Sequence, residues 1–333
     1  MKTLVIGDFE TLYGTDDKPG KIAWLKERGI AVHGAQVISL TDDLKPANLV
    51  GLFEKLKKLT ELELERISVA LLCWPKVKTV VAGKTTEVAA STFLTEDLYS
   101  YALGVCLALQ KLSHYVSMAD ISYHPMLTVP KEFVVMIDPI WHQKFLLNSE
   151  LTRRNEFRLL MAHYNFDIAI SIENEPMTSD RWGNLVHTGN RLWSESVEQL
   201  PESWGVTADI EHCAMALHCA NNPNFYWDFP LKNSAAKVTW EAQFQALCRV
   251  TGPLTFHISQ MVDPLFHIGP PLDFSNALMD WGKIITLLRE LDEERKGSVW
   301  YGIEIDSGHI YPEGYEQELI SLKILKEEPY HLK

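Results

Sequence analysis

The sequence predicts an α/β fold, an eight-stranded (β/α)8 barrel, on three observations. Short apolar runs alternate with longer amphipathic segments from one end to the other, eight runs in all. Four of these runs finish on acidic or histidine residues, and Glu173, Asp209, His257 and Glu304 are spaced by 36, 48 and 47 residues. Each interval suits one strand, one helix and their loops. The length, 333 residues, exceeds the roughly 250 a complete barrel needs and leaves room for longer connections.

Taken in order, the first strand is expected at Thr3–Ile6, before a Gly/Asp/Thr-rich loop from Asp8 to Gly20. The second, Ala31–Ile38, is followed by an amphipathic helix over Leu44–Leu64. Ile67–Cys73 is the third; the polar stretch Pro75–Glu87 after it reads as a hairpin or lid, ahead of a helix at Glu96–Leu112. Tyr115–Ser122 is the fourth and leads to a helix at Ser149–His163. In the fifth, Ile168–Ile172, isoleucines alternate with small residues, and a helix at Arg191–Leu200 comes next. The sixth, Trp204–Ala208, precedes an aromatic loop at Asn221–Pro230 and a helix at Ala235–Val250. Pro253–Ile258 with its helix Phe274–Glu294, then Val299–Ile303, complete the set. Alternation of this kind favours a parallel sheet with crossover helices. With no repeat or linker to divide it, the chain is expected to form one barrel domain over residues 1–333, with elaborated loops after strands one, three and six.

Composition narrows the function classes. A net charge of −13 and a pI near 5.4 argue against a broad nucleic-acid surface, which needs clustered Lys and Arg. The five cysteines are dispersed without a C-x-x-C pair and read as reduced thiols of a cytoplasmic protein. The N-terminal run turns polar at Asp8, too soon for a signal peptide. No stretch approaches the roughly 20 apolar residues of a membrane span. The expected partner is a small molecule, with neither nucleic acid nor membrane, and the oligomeric state is left open.

In a parallel barrel the C-terminal ends of the strands face one mouth, where active sites are built. Glu173, Asp209, His257 and Glu304 would converge there, three carboxylates and an imidazole suited to one divalent ion such as Mn, Mg, Co or Zn. His212, three residues after Asp209, would bind substrate or orient a ligand. Trp227 in the aromatic loop, like Trp74 and Trp141 near other strand ends, has a ring that can stack on a sugar.

At these residues the chain resembles the xylose-isomerase-like TIM barrel superfamily of sugar epimerases, hydroxypyruvate isomerase and the endonuclease IV group. The resemblance runs over roughly residues 115–325 and rests on Ile172-Glu173-Asn174, Asp209-x-x-His212, Phe256-His257-Ile258, His267-Ile-Gly269 with Leu272-Asp273-Phe274, and Tyr301-Gly-Ile-Glu304. It implies that Glu173, Asp209, His257 and Glu304 hold one metal. It further implies that Glu173 and Glu304 exchange protons with a sugar-like substrate, and that dimers or tetramers are common. Such chemistry passes through an enediolate, stabilised by a chelated cation. Glu175 points the same way from the strand end and is an alternate for Glu173. His124 and His267 join His212 as substrate-binding residues.

Two other readings follow from the same residues. His33 and His124 are read as ending strands two and four, and Asp263 and His267 follow strand seven. The resemblance to the endonuclease IV group would make these ligands of further zinc ions in a phosphodiesterase. A barrel that binds metal or sugar without turnover is the third reading. Asp263-Pro264 stands where the epimerases carry an arginine, and Arg181 and Arg191 are the near candidates for a substrate phosphate. Asp8-Phe-Glu10 and Ala82-Gly-Lys84-Thr85 echo exonuclease and P-loop motifs but lack the rest of either pattern. The acidic run Glu61–Glu65 and the charged stretch Leu291–Lys296 read as solvated helix faces.

Overall fold

Most barrel strands owe their place to a run that is apolar on one face and small or polar on the other. A computed structural model describes residues 1–15, 17–38, 49–71, 76–81, 84–89, 96–124, 128–130, 152, 154–174, 185–187, 192–198, 200–221, 238–261, 278–305, 308 and 310–326. The strands in chain order are β1 (Lys2–Gly7), β2 and β3 (Gly14–Thr15 and Lys18–Pro19, a minimal hairpin), β4 (Gly34–Ile38) and β5 (Arg66–Leu71). There follow β6 (Lys76–Val81), β7 (Lys84–Ala89), β8 (Met118–Tyr123), β9 (Thr128–Pro130) and β10 (Ala169–Glu173). The last are β11 (Leu185–His187), β12 (Gly205–Asp209), β13 (Leu254–Ile258) and β14 (Trp300–Ile303).

Eight of them close into a parallel barrel in the order β1-β4-β5-β8-β10-β12-β13-β14, with β14 paired back to β1. Helices follow the strands, among them Leu49–Leu59, Glu96–Leu112, Trp193–Glu198, Trp240–Leu247, Trp281–Glu294 and Glu313–Lys326. The fold is a (β/α)8 TIM barrel. All eight expected strands are present, and the expected helix Glu96–Leu112 has the same bounds in the structure.

Successive side chains of a strand point to opposite faces. Outward residues pack on the helices: Phe256 of β13 stacks on Phe244 at 5.8 Å and meets the edge of Trp193 at 5.6 Å. Inward residues fill the barrel with polar groups. Arg66 of β5 donates to Asp120 of β8 at 2.6 and 2.7 Å, and to Thr255 Oγ1 on the far wall at 2.8 Å. Gly205 is dictated by packing, since a Cβ there would lie 2.2 Å from the Pro253 carbonyl oxygen of the neighbouring strand.

The first and last βα units are joined by a buried ion pair. Lys21 Nζ donates to the Ile6 carbonyl and to Glu318 Oε2, each at 2.6 Å. Both charged side chains are 2% exposed.

Connections at the mouth are richer than expected. The Pro75–Glu87 stretch does contain a hairpin, β6 with β7, which removes Lys84-Thr85 from any P-loop setting. Strands β9 and β11 extend it into a four-stranded antiparallel sheet in the order β11-β9-β7-β6. The sheet is thus drawn from the connections after three adjacent barrel strands, β5, β8 and β10.

Inside the loop expected at Asp8–Gly20 lies a short helix, Phe9–Tyr13, capped by Asp8, whose Oδ1 accepts the Thr11 N–H at 2.6 Å. The unexpected helix Ile210–Asn221 starts directly after β12. The aromatic loop that follows it lies outside the described residues. Among the described residues, no helix is long and apolar enough to cross a membrane.

Candidate metal centre

Glu173 is the last residue of β10, Asp209 the last of β12, His257 lies near the end of β13, and Glu304 directly follows β14. Parallel register brings these ends to one mouth, as the spacing predicts. One ligand atom from each of the four lies within 4.8 Å of the others. His257 Nδ1 is 2.9 Å from Glu173 Oε1 and 2.6 Å from Glu304 Oε2. Glu173, Asp209 and His257 are buried; Glu304, with its side chain 22% exposed, is the opening to solvent.

Three carboxylates converging in a buried space need a counter-charge, since an unpaired buried ion is costly. Without a cation, His257, within 2.9 Å of two of them, supplies one. Burial on its own would push its pKa down, but the Glu173 and Glu304 carboxylates overcome that and hold it well above the usual histidine range.

The donor set fits a divalent metal on a second count. His257 Nε2 is 2.6 Å from Gln36 Oε1. An amide oxygen only accepts, so Nε2 carries the hydrogen. In the neutral ring Nδ1 then presents its lone pair to the carboxylates, as a metal ligand must.

The surrounding groups hold the carboxylates in place. Asp209 Oδ1 accepts the His212 N–H at 2.7 Å, capping the helix Ile210–Asn221, whose N-terminal end favours the negative charge. Asn174 ties two strand ends together: its Oδ1 accepts from Asp209 N at 2.8 Å, and its Nδ2 donates to the Asp209 carbonyl at 3.2 Å. Trp193 Nε1 donates to that same carbonyl at 3.2 Å. Ser122 Oγ lies 3.4 Å from Glu173 Oε2.

Of the expected substrate-binding residues, two stand beside the cluster. His124 Nε2 is 3.6 Å from Glu173 Oε2, and its ring lies 6.3 Å from that of His212. His212 Nδ1 donates to the Asn174 carbonyl at 2.7 Å, which fixes the ring's orientation. His267, Trp227, Glu175, Asp263, Arg181, Arg191, Trp74 and Trp141 lie outside the described residues.

One expectation is corrected. The sequence places His33 at the end of strand two, but the strand begins at Gly34, so His33 stands at the opposite, N-terminal rim. There its Nδ1 accepts the Thr3 N–H at 3.1 Å and its carbonyl accepts from Glu65 N at 2.7 Å. It cannot serve a metal at the mouth, which removes one ligand of the multi-zinc reading. The polar residue that strand two does send toward the cluster is Gln36. It was missed because a lone glutamine carries no motif; counting inward positions forward from Gly34 would have found it.

The sequence matches no family model and no curated protein. Among solved structures, the chain is similar to a D-tagatose 3-epimerase-like protein, at 16% identity over 98% of both chains with a TM-score of 0.54. It is also similar to a xylose isomerase-like TIM barrel protein from Mycobacterium smegmatis in complex with magnesium, at 12% identity over 97% of both chains with a TM-score of 0.44. The first likeness shows a common barrel fold.

Proposed function

We propose that the protein is a divalent-metal-dependent isomerase or epimerase of a small polyhydroxy carbonyl compound, a sugar or sugar derivative. The observation that carries this reading is the convergence of Glu173, Asp209, His257 and Glu304, from four strand ends, to within 4.8 Å. The common fold with a D-tagatose 3-epimerase-like protein supports it. Glu173, Asp209, His257 and Glu304 would hold one Mn, Mg, Co or Zn ion. Such an ion supplies positive charge to the oxygens of a bound hydroxy-carbonyl group.

The chain's own residues divide the remaining work. Glu173 and Glu304 differ in setting, one buried among Ser122, His124 and His257, the other at the opening. One removes the proton from the carbon beside the carbonyl, leaving an enediolate. The other returns a proton to the carbon that becomes the new centre. Asp209 and His257 stay fixed, held by the His212 N–H and Gln36. His124 and His212 bind substrate hydroxyls on the Glu173 side. With water restricted by the buried walls, the enediolate is protonated rather than lost to side reactions.

The test has two parts. Metal content per chain is measured by plasma mass spectrometry, and deuterium uptake from heavy water is followed for a panel of aldoses, ketoses and hydroxy acids. One ion per chain, with uptake abolished in Glu304→Gln, is the expected result. Metal binding without exchange in any compound would leave a sugar-binding barrel. Two or three zinc ions per chain would favour a phosphodiesterase. No metal after reconstitution would reject the reading.

A further inference from the structure

A line of buried polar side chains runs beneath the metal-ligand cluster and joins it to the charged pair in the barrel interior. Arg66, Ser68, Asp120 and Gln36 are fully buried, and His257 is 2% exposed. Hydrogen-bond polarity is fixed along this line from one end to the other.

The Asp120 carboxylate has no proton to give. Arg66 donates to both of its oxygens, at 2.6 and 2.7 Å. Ser68 Oγ, 2.9 Å from Asp120 Oδ2, must therefore commit its single hydroxyl proton to that carboxylate. Toward Gln36 the serine oxygen is then an acceptor, and the group facing it at 3.4 Å is the Gln36 amide nitrogen. An amide that turns its nitrogen to Ser68 turns its oxygen to His257, where Oε1 meets Nε2 at 2.6 Å. The reverse orientation would set two donors, the amide N–H and the imidazole Nε2–H, against each other, or oblige Nε2 to give up its hydrogen.

We propose that Gln36 is the positioning residue of this centre: locked by Ser68, Asp120 and Arg66, its amide holds His257 with Nε2 as the donor and Nδ1 turned toward Glu173, Asp209 and Glu304. The proposal rests on the reading of the cluster as a metal centre. An ion pair in the middle of the barrel thereby decides which nitrogen of a histidine at the mouth is offered to a cation. Gln36 itself touches neither cation nor substrate; it acts through His257.

The test compares Gln36→Met, Gln36→Glu and Ser68→Ala with the parent protein. Affinity for Mn2+ and Co2+ is read by calorimetry, and the Co2+ visible spectrum reports ligand geometry. Gln36→Met, which keeps the bulk and loses the acceptor, is expected to weaken both ions by about 10–100-fold, the usual cost of losing the group behind a ligating histidine. Gln36→Glu keeps an acceptor toward Nε2, though it loses the bond to Ser68, and is expected to bind both ions more tightly than Gln36→Met, with an unchanged Co2+ spectrum. Ser68→Ala releases the amide and is expected to fall between them.

Parent-like affinity in Gln36→Met, or an equal loss in Gln36→Glu, would overturn the proposal. A measurement on the parent keeps it testable if a variant does not fold. The hydrogen-bonded Nε2–H of His257 should give a slowly exchanging downfield 1H–15N signal in metal-free protein, and its absence would also overturn the assignment. A parent that shows this signal yet binds neither ion would overturn the metal reading alone.

Discussion

Asp209 Oδ1 accepts the backbone N–H of His212 at 2.7 Å, so the last residue of β12 both faces the metal-ligand cluster and caps the helix that follows it. Its two roles separate chemically. Asparagine caps a helix as well as aspartate does but brings no charge to the cluster.

Asp209→Asn is therefore expected to melt within a few degrees of the parent and to bind Mn2+ at least about tenfold more weakly. Asp209→Ala should lose both properties, with a cap cost of about 1 kcal/mol. Thermal melts and calorimetry on the two variants make the comparison. An Asp209→Asn protein with parent affinity would remove Asp209 from the ligand set.

The interior ion pair gives a stability prediction. Arg66→Leu leaves the Asp120 carboxylate buried and unpaired, a change expected to cost about 3–5 kcal/mol. Replacing both partners, Arg66→Leu with Asp120→Leu, should recover a large part of that loss, because the penalty lies in the stranded charge. Urea unfolding of the single and double variants decides. A double variant as unstable as the single would mean that packing, not charge, dominates the site.

Dependence on pH follows from His257, whose folded pKa stands above its unfolded value of about 6.5. In metal-free protein its pairing with Glu173 and Glu304 contributes stability that is fully present below about pH 6.5 and is lost as the pH rises through the folded value. Metal binding runs the other way, because the ring must release its Nδ1 proton to ligate. Affinity for Mn2+ should climb about tenfold per pH unit above pH 6.5 until the folded value is passed. Calorimetry in buffers of different ionisation enthalpy would show one proton released per ion. A flat affinity profile would mean that His257 is neutral before the metal arrives.

Trp193 joins packing to the site. It is fully buried, its ring meets Phe244 and Phe256 edge-on, and its Nε1 donates to the Asp209 carbonyl at 3.2 Å. Trp193→Ala is expected to cost about 3–5 kcal/mol in urea unfolding. It should also weaken metal binding, since the β12 end loses a support; Trp193→Phe should keep most of the stability.

Much of this architecture was legible in the residues, and the rest was hidden for physical reasons. Strands announced themselves because both faces of a barrel strand are buried, so Ile168–Ile172 or Pro253–Ile258 stands out from polar flanks. The ligand cluster was legible because parallel register turns regular spacing into proximity. His33 was misplaced because an apolar run marks a strand without marking its first residue, and two or three positions separate one rim of the barrel from the interior. The helix after β12 was missed because Asp209-x-x-His212 reads as a metal ligand followed by a substrate-binding histidine, while the same aspartate is a helix cap. Gln36 and Ser122 stand in no motif, and Asn174 was legible only as part of Ile172-Glu173-Asn174, since a hydrogen bond between distant strands imposes no local pattern. Strands β9 and β11 escaped for the same reason: three residues that pair with a remote strand look like any loop.

The union of the two ends of the chain has a consequence for how the protein is made. β1 finds one of its barrel neighbours, β14, only near the end of the sequence, and the buried Lys21–Glu318 pair spans 297 residues. A ribosome must therefore emit β14, and the helix carrying Glu318 after it, before the ring of strands can shut. Until then one edge of β1 is unpaired and the Lys21 ammonium has no carboxylate to meet. Closure of the barrel is thus tied to the synthesis of β14 and to no earlier strand.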